Sequence, residues 1–246
     1  MQKAYAKVNI FLKITGTRGS YHELLSRFMV VKDLYDELEF VKKDEPNDEF
    51  VLVGDFGCTT KQNTIYKAYE QLLIYPQIVE FFKTHYVKVI KNIPSFAGLG
   101  GGSSDAATFL LMCNDMLDLS KEKLATIGAK VGSDVPFFIY GYGSANVSGV
   151  GEIVEKFDED LLDFDIITPP IKISTPKVYG VYRERFFNPL SADELKGKTS
   201  LEILNTLSAK EANDLLEPAL FEYDELKSLD GYFFSGSGSS FFRIKR

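Results

Sequence analysis

The sequence predicts a protein of mixed strands and helices, in one large domain or two small ones, because segments with strand-like and helix-like patterns both occur along its 246 residues. Residues 5–14 alternate in polarity, as the side chains of a β-strand do. A second alternating segment, residues 86–90, leads through a glycine-rich run into an apolar segment with helical spacing at residues 106–117. Aromatic pairs flank a glycine and serine run at residues 233–242, which is typical of two strands joined by a turn.

The composition is that of a folded protein with an acidic surface. Apolar residues make up 45% of the chain, and no run approaches the roughly 20 apolar residues of a membrane-spanning helix. The net charge of −7 argues against nonspecific binding of nucleic acids, which requires a basic field. Cys58 and Cys113 lie far apart without metal-ligand spacing, and His22 and His85 are too few for a histidine-rich metal site. We therefore expect a cytoplasmic protein that binds neither nucleic acid nor a membrane.

The N-terminal segment, residues 5–14, presents polar side chains on one side of the predicted strand. One face carries Val8, Ile10, Leu12 and Ile14, and the other carries Lys7, Asn9, Phe11 and Lys13. An ammonium group and an amide group thus lie close together on a rigid element, as a polar functional site requires. The same pattern also fits an edge strand with one half-exposed face, so two interpretations stay open here.

The glycine-rich run is the strongest functional signal in the sequence. Four glycines within residues 98–102 precede two serines and an apolar helix. The backbone N–H groups of the glycines, which no side chain covers, therefore lie next to the positive end of the helix dipole. This arrangement predicts a phosphate-binding loop, with the helix capped by a serine or aspartate at positions 103–105. Ser103 stands where a Walker A loop requires lysine, and the dinucleotide-binding fingerprint fits badly. A glycine-rich turn without a ligand is the alternative.

A single aspartate, Asp134, lies within an apolar segment at residues 132–139. Such a residue either caps a helix or forms a turn, or it is a functional carboxylate kept partly dry. The phosphate loop favours the second interpretation, because phosphoryl transfer to an alcohol commonly uses a carboxylate to accept the hydroxyl proton.

Two further segments predict local structure. The hairpin at residues 233–242 is expected to pack against another glycine loop, since its glycines offer little steric obstruction, and a purely structural hairpin is the alternative. The charged residues 42–49 separate two apolar segments, residues 38–41 and 50–53, which are predicted to be paired strands.

These segments, in this order, resemble the GHMP kinase superfamily, which is named for galactokinase and for homoserine, mevalonate and phosphomevalonate kinases. Residues 98–104 resemble its second motif, and residues 235–239 resemble its glycine-rich third motif. The match is closer to those members that serve the non-mevalonate route to isoprenoids, and it extends from residue 5 to residue 242. The motifs that carry this closer match are residues 6–12, 21–24, 93–94, 98–107, 132–137, 149–152 and 213–217.

The resemblance implies an α+β fold with two lobes, a ribosomal-S5-like N-terminal lobe over residues 1–152 and a reduced ferredoxin-like C-terminal lobe over residues 153–246. It implies transfer of the γ-phosphoryl group of ATP to the 2-hydroxyl of a methylerythritol linked to cytidine diphosphate. ATP and Mg²⁺ are the expected cofactors, and this small cytidine-diphosphate-linked polyol is the expected partner. The chain stops four residues after residue 242, where many members continue with another helix and strand, so an abbreviated second lobe is expected.

The resemblance also implies roles for individual residues. By position, Asp134 corresponds to the catalytic aspartate of these kinases and Lys7 to the lysine beside it. The positions that correspond to the ATP-binding set are Asn63, Lys91, Pro94, Ser95, Phe96, Ala97, Gly98, Leu99, Gly100, Gly101, Gly102, Ser103 and Ser104. The positions that correspond to the acceptor-binding set are Asn9, Tyr21, His22, Thr175 and Tyr179. Ser104 is the candidate Mg²⁺ ligand, and the sequence indicates no glutamate partner for it.

Within the acceptor-binding set, Tyr21 and Tyr179 are expected to stack on the two faces of the cytosine, while His22 binds its polar edge. Local explanations also exist for some of these residues. Asn63 is placed to cap the helix that follows it, and Lys91 is a charge at the end of a strand. Tyr21 is also explained as an ordinary surface aromatic at a turn, and His22 as a residue at the start of a helix.

Two other functions stay open at this point. One is another small-molecule kinase of the superfamily, such as homoserine kinase, and the other is a nucleotide-binding module without catalytic activity. The aromatic pair argues against homoserine, which has no base to stack, and a binding module needs neither Lys7 nor Asp134. The sequence does not indicate the oligomeric state.

Overall fold

The structure, a computed structural model, describes residues 1–19, 21–189, 191–229 and 231–245. Its strands are β1 (Gln2–Arg18), β2 (Tyr21–Lys42), β3 (Leu52–Val53), β4 (His85–Ile90), β5 (Ser144–Gly149), β6 (Ile153–Lys156), β7 (Phe164–Ile167), β8 (Phe233–Phe234) and β9 (Phe241–Ile244). Its helices are α1 (Thr64–Leu72), α2 (Pro76–Thr84), α3 (Gly101–Asn114), α4 (Lys121–Ala129), α5 (Val135–Tyr140), α6 (Thr175–Val181), α7 (Ser200–Thr206), α8 (Ala209–Ala212) and α9 (Leu216–Glu222). Shorter 3-10 turns are Thr60–Gln62, Asp193–Leu195 and Asp224–Leu229, and a π-helical turn is Tyr182–Phe186. This mixture of strands and helices confirms the predicted α+β class.

The chain forms two compact units. The first comprises Met1–Ala6, Lys32–Ser95 and Gly101–Gly141, and the second comprises Lys7–Val31, Phe96–Gly100 and Tyr142–Arg246. Strands β1 and β2 run through both units, and the predicted domain ranges, 1–152 and 153–246, stay a prediction. Within the ranges that the structure describes, no helix is long and apolar enough to cross a membrane.

The first unit combines a small sheet with the helices α1 to α5. The C-terminal half of β2 pairs antiparallel with β4, from Glu37 opposite Ile90 onward, and β4 pairs in parallel with β3. Strand β4 therefore separates the segments 38–41 and 50–53, and the prediction that these two pair directly with each other is wrong. The helices share one core, in which Phe82 of α2 and Phe109 of α3 are fully buried beside the sheet residues Leu38 and Val87.

The second unit contains two sets of paired strands. The N-terminal half of β2 pairs antiparallel with β5, and β5 pairs with β6. A separate three-stranded sheet has the order β7-β9-β8. Its β8–β9 pair places Phe233 opposite Phe242 and Phe234 opposite Phe241, which confirms the predicted hairpin.

Strand β1 is buried on both of its faces in the second unit. The exposed fractions of Lys7, Asn9 and Phe11 are 3%, 2% and 0%, and the alternating apolar residues Val8 and Ile10 are fully buried. The interpretation of residues 5–14 as a half-exposed edge strand is therefore wrong, and the polar side chains of β1 need partners inside the protein.

Helix α3 begins inside the glycine run rather than after it. Gly98 and Gly100 have φ angles of 74° and 73°, a left-handed conformation that L side chains rarely adopt, and the helix starts at Gly101. The prediction of a cap at positions 103–105 is therefore wrong, because Ser104 and Asp105 lie within the helix and are buried.

Candidate active site

In the second unit, Lys7 lies beside the glycine loop, residues 96–100. Its ammonium group donates hydrogen bonds to Asn9 Oδ1 at 2.6 Å and to the carbonyl oxygen of Gly98 at 3.2 Å. The same nitrogen is 4.5 Å from the centre of the Phe28 ring, and the backbone N–H of Lys7 donates to the carbonyl oxygen of Leu99. The side chain and the backbone of this lysine therefore both hold the loop 96–100.

The hairpin turn between β8 and β9 packs against the same loop. Ser235 Oγ donates to the carbonyl oxygen of Gly98 at 3.0 Å, and the backbone N–H of Ser240 donates to the carbonyl oxygen of Ala97. A Cβ atom on Gly98 would lie only 2.2 Å from the carbonyl oxygen of Ser235, so the close approach requires glycine. This confirms the prediction that the hairpin turn packs against another glycine loop.

Phe96 has an unusual position at the start of this loop. Its φ angle is 59°, a conformation that is costly for a bulky side chain, and its ring is 63% exposed. Backbone conformations of this kind occur mostly where surrounding structure or function demands them. The hydrogen bonds of Lys7, Ser235 and Ser240 to the following residues supply the surrounding constraint here.

A second cluster in this unit surrounds His22. The imidazole ring packs against Tyr179, Tyr182 and Phe187, with ring centres 5.1, 5.7 and 6.4 Å away. Its Nε2 atom is buried and has no hydrogen-bond partner among the described residues. Burial, together with the nearby charge of Arg183, lowers the pKa of His22, so the ring is neutral near neutral pH.

The remaining residues of the predicted acceptor-binding set lie around these two clusters. Tyr21 is 68% exposed, so its ring is accessible to solvent. The hydroxyl of Thr175, at the start of α6, shares a hydrogen bond of 2.6 Å with Ser237 Oγ in the hairpin turn. Asn9 accepts a hydrogen bond from the Lys7 ammonium group, and Tyr179 packs against His22.

In the first unit, Lys91 is part of a buried ion cluster. Its ammonium group donates to Asp105 Oδ2 at 2.6 Å and also to Asp36, whose other oxygen accepts the backbone N–H groups of Asn92 and Ile93. Burial raises the pKa of Asp105 to about 7, against the opposing effect of the Lys91 charge and with the support of the Asp36 carboxylate. The ammonium group predicted to contact ATP is therefore already bound by two carboxylates, and its role toward ATP stays a prediction.

Asn63 and the start of α3 are connected through local hydrogen bonds. Asn63 Oδ1 accepts the backbone N–H of Ile65 at 2.8 Å, which confirms its local explanation as the cap of α1. Thr64 Oγ1 donates to the carbonyl oxygen of Gly102 at 2.6 Å. Ser104, the candidate Mg²⁺ ligand, is 1% exposed, and the described part of the chain contains no group of three His, Cys, Asp or Glu side chains arranged to hold a metal ion.

Asp134, also in the first unit, immediately precedes α5 and is half-buried. Its backbone is helical, with a φ of −83°, and its side chain does not cap the helix within the described ranges. Ser133 Oγ approaches one carboxylate oxygen at 3.4 Å. Asp134 thus lies in a turn at the start of α5, which agrees with the structural interpretation although its side chain makes no cap, and the functional interpretation stays a prediction.

Sequence reasoning missed several residues that shape these clusters. Ser26 and Asp36 lie on β2, and Tyr182 follows Tyr179 by three residues in the same helical turn. The signal for Ser26 was a hydroxyl directly after the apolar pair Leu24 and Leu25, and the signal for Tyr182 was its helical spacing from Tyr179. Asp36 has no local signal, because its partners come from β4 and the segment after it.

Comparison with known proteins agrees with this architecture. The family described as GHMP kinases N terminal domain matches residues 63–142. A relative from Sulfurimonas denitrificans, named 4-diphosphocytidyl-2-C-methyl-D-erythritol kinase, is 58% identical over 258 residues, covering 100% of this chain and 97% of the relative. Relatives with the same name from Sulfurovum sp. and Helicobacter pylori are 49% and 40% identical, covering 98% and 99% of this chain and 98% and 93% of their own lengths.

Two solved structures also match this chain. A crystal structure of 4-(cytidine 5'-diphospho)-2C-methyl-D-erythritol kinase superposes with a TM-score of 0.73 at 30% identity, covering 100% of this chain and 90% of that one. A homoserine kinase from Cytophaga hutchinsonii, at 15% identity, has a TM-score of 0.57 and covers 100% of this chain and 86% of its own, so it shares the fold alone. With the relatives above, these matches show that the chain has the GHMP kinase fold and belongs to the 4-diphosphocytidyl-2-C-methyl-D-erythritol kinase family.

Proposed function

We propose that this chain transfers the γ-phosphoryl group of ATP to the 2-hydroxyl of 4-diphosphocytidyl-2-C-methyl-D-erythritol, in the non-mevalonate route to isoprenoid precursors. The observation that carries the proposal is the ammonium group of Lys7, which β1 holds against the backbone of the glycine loop at Gly98. A fixed cation beside a phosphate-binding loop is suited to stabilise the charge of a transferring phosphoryl group. Relatives that match nearly the whole chain are named as kinases of this acceptor.

Packing within the protein requires two glycines of this run. A Cβ on Gly98 would clash with Ser235, and one on Gly101 would lie 2.9 Å from Ile93 Cγ2. The first backbone N–H groups of α3 lack partners within the helix and favour an anion. We assign the phosphates to residues 94–104, with Asn63 and Lys91 on the nucleoside.

The proposed reaction balances without a covalent enzyme intermediate. The oxygen of the acceptor hydroxyl forms a bond to the γ-phosphorus, while the bond from that phosphorus to the bridging oxygen of ADP breaks. Asp134 orients the hydroxyl and accepts its proton late in a loose transition state, and Lys7 offsets the charge on the transferring group. Orientation contributes more than basicity, because a carboxylate is a weak base toward an alcohol.

Mg²⁺ bound with ATP would neutralise charge on the β- and γ-phosphates. We propose Ser104, near the start of α3, as the protein ligand, since a hydroxyl oxygen is a hard donor of the kind that this ion prefers. Phosphate oxygens and water would supply the other positions, as is usual for this ion with nucleotides.

The cluster around His22 supports recognition of the cytosine. The neutral imidazole offers one donor and one acceptor, and its buried Nε2 atom has no protein partner among the described residues, so a polar edge of the base would satisfy it. Tyr21 and Tyr179 are proposed to stack on the two faces of the ring, and Asn9 and Thr175 to contact the rest of the acceptor.

The experiment is a comparison of ADP formation with three acceptor conditions. We expect turnover with 4-diphosphocytidyl-2-C-methyl-D-erythritol, background rates with homoserine, and background rates without an acceptor. Turnover with homoserine alone would replace the proposal by a homoserine kinase. ATP binding without turnover on either acceptor would indicate a binding module without catalytic activity.

We place this activity in the cytoplasm as part of the proposal. Both Cys58 and Cys113 are free thiols, which suits a reducing compartment. The negative net charge gives no support for a nucleic-acid partner.

A further inference from the structure

A buried serine, Ser26, is hydrogen-bonded to Asn9, which is itself a partner of Lys7. Ser26 is fully buried on β2, in the second unit. Its hydroxyl donates to the carbonyl oxygen of Phe11 and accepts a hydrogen bond from Asn9 Nδ2 at 2.9 Å. Asn9 in turn accepts from Lys7 Nζ through Oδ1 at 2.6 Å. The four residues thus form one continuous chain of hydrogen bonds.

Every hydrogen bond in this chain has a fixed direction. An ammonium group has donors only, so the Asn9 atom that faces Lys7 must be the amide oxygen. The amide NH₂ group therefore points to Ser26, which must accept from it. A serine hydroxyl has a single proton, and the carbonyl oxygen of Phe11 takes that proton, so the lone pairs of Ser26 remain for Asn9.

The reverse orientation of the amide would be unfavourable at both ends. The NH₂ group would then face the ammonium of Lys7, placing donor against donor, and the amide oxygen would face a hydroxyl whose proton is already used. Because all of these groups are buried, an unsatisfied partner costs about 1–3 kcal/mol. The backbone carbonyl of Phe11 is held in place by β1. The series of hydrogen bonds that starts at this carbonyl therefore fixes the position of the Lys7 ammonium relative to β1.

We infer that Ser26 is a positioning residue for the phosphoryl transfer: it fixes the orientation of the Asn9 amide, and through Asn9 it aims the ammonium of Lys7. Ser26 touches neither the glycine loop nor any residue of the His22 cluster in the contacts described above. The inference rests on the role of Lys7 in the proposed function. It adds a residue that the family resemblance does not supply.

The test begins with Ser26→Ala. We expect kcat to fall roughly 10- to 100-fold, the range in which small misplacements act, with the KM for ATP unchanged within about two-fold. Ser26→Cys keeps a donor and an acceptor at this position, but sulfur is larger than oxygen and hydrogen-bonds more weakly, so an intermediate kcat is expected. If Ser26→Ala does not fold, Ser26→Cys alone decides, because a kcat equal to that of the wild type would overturn the inference.

A matched control separates positioning from a general loss of stability. Ser144 is another buried serine on a paired strand of this unit, and its hydroxyl donates to Glu159 at 2.6 Å. Ser144→Ala is expected to lower the melting temperature to a similar degree and to leave kcat within about two-fold of the wild type. A kcat loss in Ser144→Ala as large as in Ser26→Ala would overturn the inference.

A double-mutant cycle identifies the route of the effect. If Ser26 acts through Asn9, adding Ser26→Ala to Asn9→Ala produces no further fall in kcat. Multiplying losses would show that Ser26 acts independently of Asn9 and would overturn the inference. Failure of the proposed function is seen separately, because it appears as absent turnover of the cytidine acceptor by the unaltered chain.

Discussion

Each of the two units buries a lysine, but the two surround it with different chemistry. In the first unit, the ammonium of Lys91 lies between the carboxylates of Asp36 and Asp105. In the second unit, the ammonium of Lys7 donates to the amide oxygen of Asn9 and the carbonyl oxygen of Gly98. The Lys91 cluster is therefore built from charged groups, whereas these two hydrogen bonds of Lys7 go to dipoles.

The difference matters for the pH dependence of the two sets of hydrogen bonds. Asp105 titrates near neutrality, since burial raises its pKa to about 7. The amide, carbonyl and hydroxyl groups that orient Lys7 within its unit do not titrate at all. The ion pairs of Lys91 are thus suited to stabilise the fold, and the hydrogen bonds of Lys7 to Asn9 and Gly98 do not themselves change with pH.

The largest effect on stability is expected for Lys91→Met. Removing the ammonium leaves two buried carboxylates without the charge that neutralises them, so the free energy of unfolding should fall by about 3–5 kcal/mol near pH 8. Urea denaturation followed by circular dichroism measures this. Lys88→Met on the same strand is the control, because its ion pair with Glu39 is partly exposed and should contribute less than about 1 kcal/mol. Equal losses in the two variants would show that the buried ion pairs of Lys91 contribute no more to stability than the ion pair of Lys88.

Asp134→Asn tests whether a carboxylate outside the Lys91 cluster acts in the reaction rather than in folding. Asp134 belongs to the first unit but not to the Lys91 cluster, so its loss should affect turnover and not the fold. We expect kcat to fall ~10²-fold or more, the scale of a lost general base, with nearly unchanged ATP affinity by calorimetry. A variant that keeps about a quarter of the wild-type rate would exclude Asp134 as the proton acceptor.

Acceptor recognition is expected to depend on the second unit. Replacing Tyr21 and Tyr179 together by alanine should raise the KM for the cytidine acceptor roughly 10- to 100-fold, because base–aromatic stacking contributes about 1–3 kcal/mol, while the KM for ATP stays nearly constant. His22→Ala should also relax discrimination between cytosine and uracil acceptors. Steady-state kinetics with both acceptors decide this, and equal effects on ATP and acceptor would contradict the assigned pocket.

The most gradual effect is the pH dependence of stability. The pKa of Asp105 is about 7 in the folded chain against an ordinary value of 3.8, so the folded state binds more protons than the unfolded state between these values. This residue therefore lowers stability as the pH rises from about 4 to about 7. Asp105→Asn should remove a slope on the order of 1 kcal/mol per pH unit from the unfolding free energy. Parallel pH profiles of the wild type and the variant would show that Asp105 does not titrate in this range.

Local patterns predicted those parts of the fold that form from neighbouring residues. The alternation in residues 5–14 predicted β1, and the aromatic pairs at residues 233–242 predicted the β8–β9 hairpin. The start of α3 at Gly101 was missed, because glycine is a poor helix former and the run reads as a loop. The pairing of β4 with both β2 and β3 was missed, because it joins strands that are distant along the chain.

The candidate site shows the same limit. The glycine loop and the polar side chains of β1 were evident, because each forms a pattern within a few residues. Lys91 is separated from Asp36 by 55 positions and from Asp105 by 14, and no local pattern indicates such an ion cluster. The role of Ser26 depends on the directions of three consecutive hydrogen bonds, and these exist only once β1 and β2 are aligned.

The most direct test of the comparison is the kcat of Lys7→Met with 4-diphosphocytidyl-2-C-methyl-D-erythritol as the acceptor. We expect a variant that is folded by circular dichroism and still binds ATP in calorimetry, with a kcat reduced roughly 10²- to 10³-fold, because a fixed charge that stabilises the transferring phosphoryl group is gone. A folded Lys7→Met variant that keeps more than about a quarter of the wild-type kcat would contradict the assignment of the chemistry to Lys7.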